Sequence, residues 1–240
     1  MKILHEFVPS RKFLKLAEEV KDLVDGWNVT DSAAGIPAPS GTAVGCVLKS
    51  KYPEKIVIPI FVIRYKGPVE VGGLALAADA VGIDGLVLTM GDIPKFGDPI
   101  NMIKSSEEAR DFLRETIRVK NVKLGCLLSA RRSIDEAIVR IREPWDFVFF
   151  MRLEDKAFGI LEQLAKECKA LKKPIYTYFL VGTRKNEEIV KRIGWPISAT
   201  IDRVEEAVSK IEGLVDGLIA TCAGDFEGDK ELLKRLQKFR

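Results

Sequence analysis

The chain has 240 residues but only one histidine and four cysteines, and it has no apolar run of membrane-spanning length. Each scarcity excludes something. Cys46, Cys126, Cys168 and Cys222 form no C-x-x-C pair, and His5 alone cannot complete a zinc site with them. Three of the four sit in apolar sequence and are expected to be buried structural thiols. The best candidate for a membrane span, Ile56 to Ile63, is interrupted by Pro59 and stopped by Arg64, so no membrane segment is expected. Glu6 breaks any leader pattern at the N-terminus, which points to a cytoplasmic protein. Neither sign of charge dominates: 38 basic against 35 acidic residues give a net +3. With no basic block, nucleic acid is not an implied partner. Asn and Gln are few against 30% charged residues, a balance typical of thermophile proteins.

What is present is 47% hydrophobic residues, arranged in a repeating order. Short β-branched runs are expected to be strands at Ile3–Val8, Trp27–Thr30, Lys55–Ile63, Gly85–Met90, Lys123–Leu128, Asp146–Met151, Ile175–Leu180 and Gly217–Cys222. They are continuous rather than alternating, as in parallel sheets buried on both faces. Helical patterns lie between many of them: Arg11–Val24, Ser106–Val119, Ser133–Ile141, Asp155–Leu171, Asn186–Ile193 and Asp202–Ile211. Lys230–Phe239 closes the chain. About eight β/α units in this length predict a (β/α)8 TIM barrel, one domain over residues 1–240. Asp202–Ile211 is expected to be an extra helix before the last strand. An open doubly wound sheet is the competing architecture, and the uninterrupted order of units disfavours it.

A barrel places its chemistry at strand C-termini and the loops after them. Glu6 stands out, a carboxyl in an apolar strand beside Phe7 and Val8. Desolvation there raises a carboxyl pKa and suits a general acid; a structural pairing with a cation such as Arg64 is the plainer alternative. Asp92 follows a strand through Gly91, whose backbone freedom permits a sharp turn, and either faces a pocket or serves the turn before Pro94. Arg64 ends the most apolar strand and needs an anion. Thr30-Asp31-Ser32 binds ligand hydroxyls or caps a turn, and the small-residue loop Ala33–Gly41 suits a barrel mouth. Arg140 is either a solvated helix charge or a phosphate contact. His5 should face away from Glu6, into the layer between barrel and helices. Lys66, just past a strand end, gives little support to Schiff-base chemistry.

His5-Glu6-Phe7-Val8-Pro9, Asn28-Val29-Thr30-Asp31-Ser32 and Gly82-Ile83 followed by Leu88-Thr89-Met90-Gly91-Asp92-Ile93-Pro94 together resemble the methylenetetrahydrofolate reductase family. The resemblance implies an oxidoreductase of one-carbon metabolism and methionine biosynthesis. It would reduce a methylene-tetrahydrofolate or related tetrahydropterin through a flavin (FAD or FMN), with NAD(P)H as reductant. On that basis Glu6 and Asp92 would be catalytic. Thr30, Asp31, Arg64, Gly91 and Arg140 would hold the flavin. Asp92, Met151 and Arg152 would meet the substrate. Departures from the family pattern are Met90 before the Gly-Asp pair, Phe150-Met151-Arg152 in place of a Thr-Gln ending, and no histidine in Pro59-Ile60-Phe61.

Two other functions fit the same chain. One is a partner-dependent or non-catalytic subunit, which predicts an exposed apolar patch; self-association is also expected. The other is an unrelated phosphate-binding barrel lyase or isomerase. That reading predicts an anion site at the last strand ends, near Gly182-Thr183 and Ala223-Gly224.

Overall fold

Strands and helices alternate in the structure as the sequence pattern expects. The computed structural model describes residues 1–240. In order, the elements are β1 (Lys2–Phe7), α1 (Phe13–Val20), β2 (Gly26–Val29), α2 (Gly41–Lys51), β3 (Ile56–Val62), α3 (Pro68–Val81), β4 (Gly85–Thr89), α4 (Ser106–Asp111) and β5 (Lys123–Ser129). There follow α5 (Ile134–Arg142), β6 (Phe147–Met151), α6 (Phe158–Ala170), β7 (Ile175–Gly182), α7 (Glu187–Ile193), β8 (Ala199–Thr200), α8 (Val204–Ser209), β9 (Gly217–Thr221) and α9 (Phe226–Arg235). The sheet runs β6-β5-β4-β3-β2-β1-β9-β7, and β6 also pairs β7, which closes an eight-stranded parallel (β/α)8 barrel. The two-residue β8 pairs only with β7 and lies outside the ring. The expected extra helix is α8, between β8 and the last strand. No helix is long and apolar enough to cross a membrane.

The chain gathers into two compact units. The first comprises Met1–Glu6, Val20–Asp25 and Leu127–Arg240; the second comprises Phe7–Glu19 and Gly26–Cys126.

In the first unit, register fixes which side chains share a face. Leu4 pairs Ile219, His5 pairs Ala220, Tyr178 pairs Ile219 and Leu180 pairs Thr221. The period of two along each strand then puts Glu6, Tyr178 and Thr221 on one face and His5 and Thr177 on the other. At the N-terminal ends of the strands, carboxylates receive backbone amides. Asp25 accepts from Ile3 N at 2.8 Å and Asp216 from Ile175 N at 2.8 Å. That end is occupied by architecture, and the C-terminal ends are left for chemistry.

In the second unit, β2, β3 and β4 are packed by α2 and α3, two helices the sequence pattern did not single out. Both lack a clear polar stripe. Gly45 of α2 lets the helix approach Pro59, where a Cβ would sit 2.6 Å from the ring. α3 is apolar nearly all round and leaves Val69 and Leu76 exposed. Helix α4 passes into a π-helical turn at Phe112–Ile117, so the helix expected to run unbroken to Val119 ends early.

Candidate active site

Glu6 is the penultimate residue of β1 and keeps part of its surface open although protein surrounds it. Its carboxyl is pushed up to about 7. Burial is the main cause; a hydrogen bond from Thr221 opposes it, the charge of Asp229 adds to it, and His5 opposes it. Thr221 is itself positioned, because its Oγ1 accepts from Ala223 N at 3.0 Å. Tyr178 is buried, and burial together with the charge of Glu6 holds its hydroxyl well above the ordinary phenol value. It therefore stays a neutral phenol beside an ionisable carboxyl. His5 faces the other way, as expected, with Nε2 3.2 Å from Asp229 of α9. Asp229 also accepts from Cys222 N at 2.5 Å, which ties α9 to the end of β9.

From Tyr178 an aromatic contact leads outward. Trp195 meets it edge-on at 5.9 Å between centroids, and the Arg152 guanidinium lies 5.3 Å from the Trp195 ring centroid. Arg152 follows Met151 at the end of β6 and adopts a left-handed backbone, φ 68°. Its Nη1 donates to Gly194 O at 3.0 Å. The backbone oxygen of Met151 accepts from Ala130 N at 3.2 Å, a main-chain contact. Ala130, Arg131, Arg152, Glu154, Gly194, Trp195 and Pro196 line a cleft of about 340 Å³. Tyr178 and Trp195 escaped the sequence analysis. The usable signals were a tyrosine on the same face of its strand as the strand's end, and a tryptophan between Gly194 and Pro196 in a loop.

The loops after β7 and β9 are closed by the chain's own groups. Asn186 is fully buried and donates to Val181 O at 2.8 Å and Cys222 O at 2.6 Å. Asp225 caps α9, with Oδ1 accepting from Gly228 N at 3.1 Å and Oδ2 accepting from Thr183 Oγ1 at 2.9 Å. A carboxylate therefore already occupies the helix N-terminus where an anion was expected near Ala223-Gly224.

The second unit holds the other candidates, and most serve its loops. Asp31 and Lys66 are both buried and meet at 2.8 Å; Lys66 Nζ also donates to Val62 O at 2.6 Å. The buried cation is thus Lys66, and Arg64, half-buried, donates from Nε to Gly91 O at 3.4 Å. Thr30 donates its amide to Phe7 O at 3.0 Å. Asp92 is exposed, and its Oδ2 accepts from Ala34 N at 2.9 Å. Gly91 has φ 72°, and a Cβ there would lie 2.5 Å from Val62 Cγ1, so the turn requires glycine at this position. Arg140 lies in the last turn of α5 and 5.7 Å from the Trp145 ring centroid, just before β6, at the end of the barrel opposite to the strand C-termini.

No family model and no curated protein matches the chain. Solved structures do. A variant tryptophan synthase α-subunit from Pyrococcus furiosus is 12% identical at a TM-score of 0.63, over 99% of this chain and 97% of that one. The tryptophan synthase α subunit of Campylobacter jejuni is 14% identical at 0.62, over 100% and 95%. Orotidine 5'-monophosphate decarboxylase of Methanocaldococcus jannaschii, solved with the inhibitor BMP, is 16% identical at 0.59, over 99% and 97%. At such identities the likeness establishes the barrel alone. The structural neighbours are of these kinds and not methylenetetrahydrofolate reductases, which overturns the expected identity. The oxidoreductase activity, the flavin (FAD or FMN), the NAD(P)H reductant and the folate or pterin substrate are corrected with it. The physical reason is visible in the motif that carried the resemblance. Gly91-Asp92-Ile93-Pro94 answers to a tight turn and a loop clamp, demands that unrelated barrels share.

Proposed function

We propose that the chain is a barrel enzyme of the lyase or isomerase class whose central step is proton transfer by Glu6. The observation that carries this reading is the Glu6 carboxyl itself: partly open, at a strand C-terminus, and titrating at about 7. Near neutral pH such a group is populated in both forms and can give or take a proton. In an elimination the carboxylate takes the proton from carbon, the freed electron pair forms the double bond, and Glu6 then passes that proton to the departing atom. In an isomerisation the carboxylate removes a proton from carbon and returns it elsewhere on the same molecule. Thr221 holds the carboxyl in place, and Tyr178 remains protonated beside it. A neighbour named as a decarboxylase of a 5'-monophosphate keeps company with this reaction class.

The test uses proton exchange, which needs no knowledge of the product. Enolisable compounds bearing phosphate or carboxylate groups are incubated with the protein in D2O, and loss of carbon-bound protons is followed by NMR. The native chain should exchange at least one of them. Glu6→Gln should exchange it about 100-fold to 10,000-fold more slowly, the usual range for a lost general acid–base group. Equal rates in both proteins would remove Glu6 from the chemistry.

We place the reaction in the cytoplasm, which suits four cysteines that form no disulfide. A second reading rests on a different observation. Ile93, Phe96, Ile100 and Met102 are exposed together on the loop after β4, as a rim that docks a partner subunit or a second copy would be. Sedimentation of the native chain against Phe96→Ser should then show a larger species only for the former.

A further inference from the structure

Resting on the assignment of Glu6 as the proton-transfer group, we propose that the cleft around Trp195 binds the anionic end of the substrate, with Arg131 and Arg152 as its grip. The position that an anion would ordinarily take is already filled. Barrels of this kind commonly hold phosphate at the loops after their last strands and at the helix N-terminus beside them. Here that helix is α9, and the Asp225 carboxylate caps it, held by Gly228 N and Thr183 Oγ1. A second anion there would face a carboxylate at hydrogen-bond range, and the like charges would repel.

The cleft carries the charge that an anion needs. It is about 340 Å³ and lies at the ends of β5 and β6, where Arg131 and Arg152 stand against the single carboxylate of Glu154. Arginine suits this task because its planar fork of donors matches the oxygens of a carboxylate or a phosphate. Arg152 is pre-positioned: its backbone is left-handed at φ 68°, its guanidinium lies over Trp195, and it donates to Gly194 O at 3.0 Å. A non-glycine residue in that conformation persists only where the surroundings hold it, as functional positions often do. Trp195 is braced from a second direction by Tyr178, the residue that senses the charge of Glu6. Ring contacts therefore run from Arg152 through Trp195 to Tyr178, whose hydroxyl feels the charge of the acid–base carboxyl. A substrate with an anionic terminus at one end and its reacting atoms at the other matches this layout.

The protein reports on its own cleft. Trp27 and Trp145 are buried, and Trp195 keeps part of its surface open, so anion binding should change Trp195 emission. Inorganic phosphate and benzoate are titrated separately into the native chain at constant ionic strength, with chloride as the control salt. Saturable change with phosphate alone identifies a phosphate ester as the substrate class, and change with benzoate alone identifies a carboxylic acid. Arg131→Gln, an exposed substitution, should raise the apparent Kd at least tenfold, and Trp195→Phe should abolish the signal. Glu6→Gln should bind the anion as the native chain does while losing exchange, which separates failure of the grip from failure of the acid–base assignment. The proposal is overturned if neither anion acts beyond chloride, if the response survives in Trp195→Phe, or if Arg131→Gln binds as well as the native chain.

Discussion

Two regions of this barrel hold their carboxyls in opposite ways: the loops around Asp31 and Asp92 in the second unit, and the end of β1 at Glu6 in the first. In the second, ionisable side chains near the strand ends are engaged by structure. Asp31 is paired to Lys66, Asp92 clamps the backbone of Ala34, Arg64 reaches Gly91 O, and Asp79 gathers the amides of Lys120, Asn121 and Val122. In the first, Glu6 is desolvated with no cation closing on it, and its proton is held loosely enough to move at neutral pH. A carboxylate satisfied by amides or by an ammonium is fixed in charge; one short of partners is a reagent. The contrast shows that a motif's residue types do not reveal their task, because Asp92 and Glu6 have the same chemistry in different surroundings.

The largest expected effect breaks the structural side of this contrast. Lys66→Met leaves the Asp31 carboxylate buried without its ammonium. Denaturant unfolding should show a loss of about 3–5 kcal/mol, the usual cost of orphaning one member of a buried ion pair. Adding Asp31→Asn to that variant should recover most of the loss. Equal stability of Lys66→Met and the native chain would mean that the pair carries no structural weight.

The reagent side should respond in the opposite direction. Glu6 has a folded value of about 7 against an ordinary 4.5, so the folded chain binds more protons than the unfolded one between those limits. Stability from this group is present below pH 4.5, falls as pH rises, and is gone above about 7. Glu6→Gln imitates the neutral form and should gain roughly 2–3 kcal/mol at pH 8, discounted for the open part of the side chain, with little change at pH 4. A variant less stable than the native chain at pH 8 would show that the carboxylate is better satisfied than its burial indicates.

These two sites also mark how far sequence carries. The barrel was legible because its strands are short continuous apolar runs in a β/α rhythm, and Val148–Phe150 or Leu218–Ala220 could be little else. α2 and α3 were not, because Gly45 and the apolar circumference of α3 answer to close packing rather than to a polar face. Glu6 was legible for the same reason that it is strained: a charge in an apolar strand contradicts its neighbours. The direction of His5 followed from strand alternation alone. Arg152 was named as a substrate contact, but the cleft was not legible, since Arg131, Arg152 and Trp195 come from three separate loops and only the fold brings them together. The reductase resemblance rested on Gly91-Asp92, where a turn accounts for the glycine and a loop clamp engages the aspartate.

Asp92 therefore supplies the third test. Asp92→Ala removes the acceptor for Ala34 N, an exposed hydrogen bond at 2.9 Å, and should lower stability by about 1 kcal/mol. Amide exchange should quicken at Ala34 and at Lys95, whose N–H donates to Gly35 O at 2.9 Å in the same pair of loops. Proton exchange of the substrate should be unaltered. A loss of exchange comparable to that of Glu6→Gln would instead return Asp92 to the chemistry.

The smallest effect concerns how Glu6 is tuned. Burial is the leading cause of its raised value and Asp229 a lesser one, reaching it from the opposite side of β1 through charge alone. Asp229→Asn keeps an oxygen that can accept from Cys222 N, so the join between β9 and α9 should survive. It removes a negative charge that favours the protonated carboxyl. The midpoint of Glu6, followed by the carboxyl carbon signal in NMR, should drop below about 7 yet stay above 4.5, because the desolvating wall remains. His5 works in the other direction, since any positive charge on it favours the carboxylate. Were the midpoint to rise on removing Asp229, the charge of the aspartate would not be among the causes of the raised value.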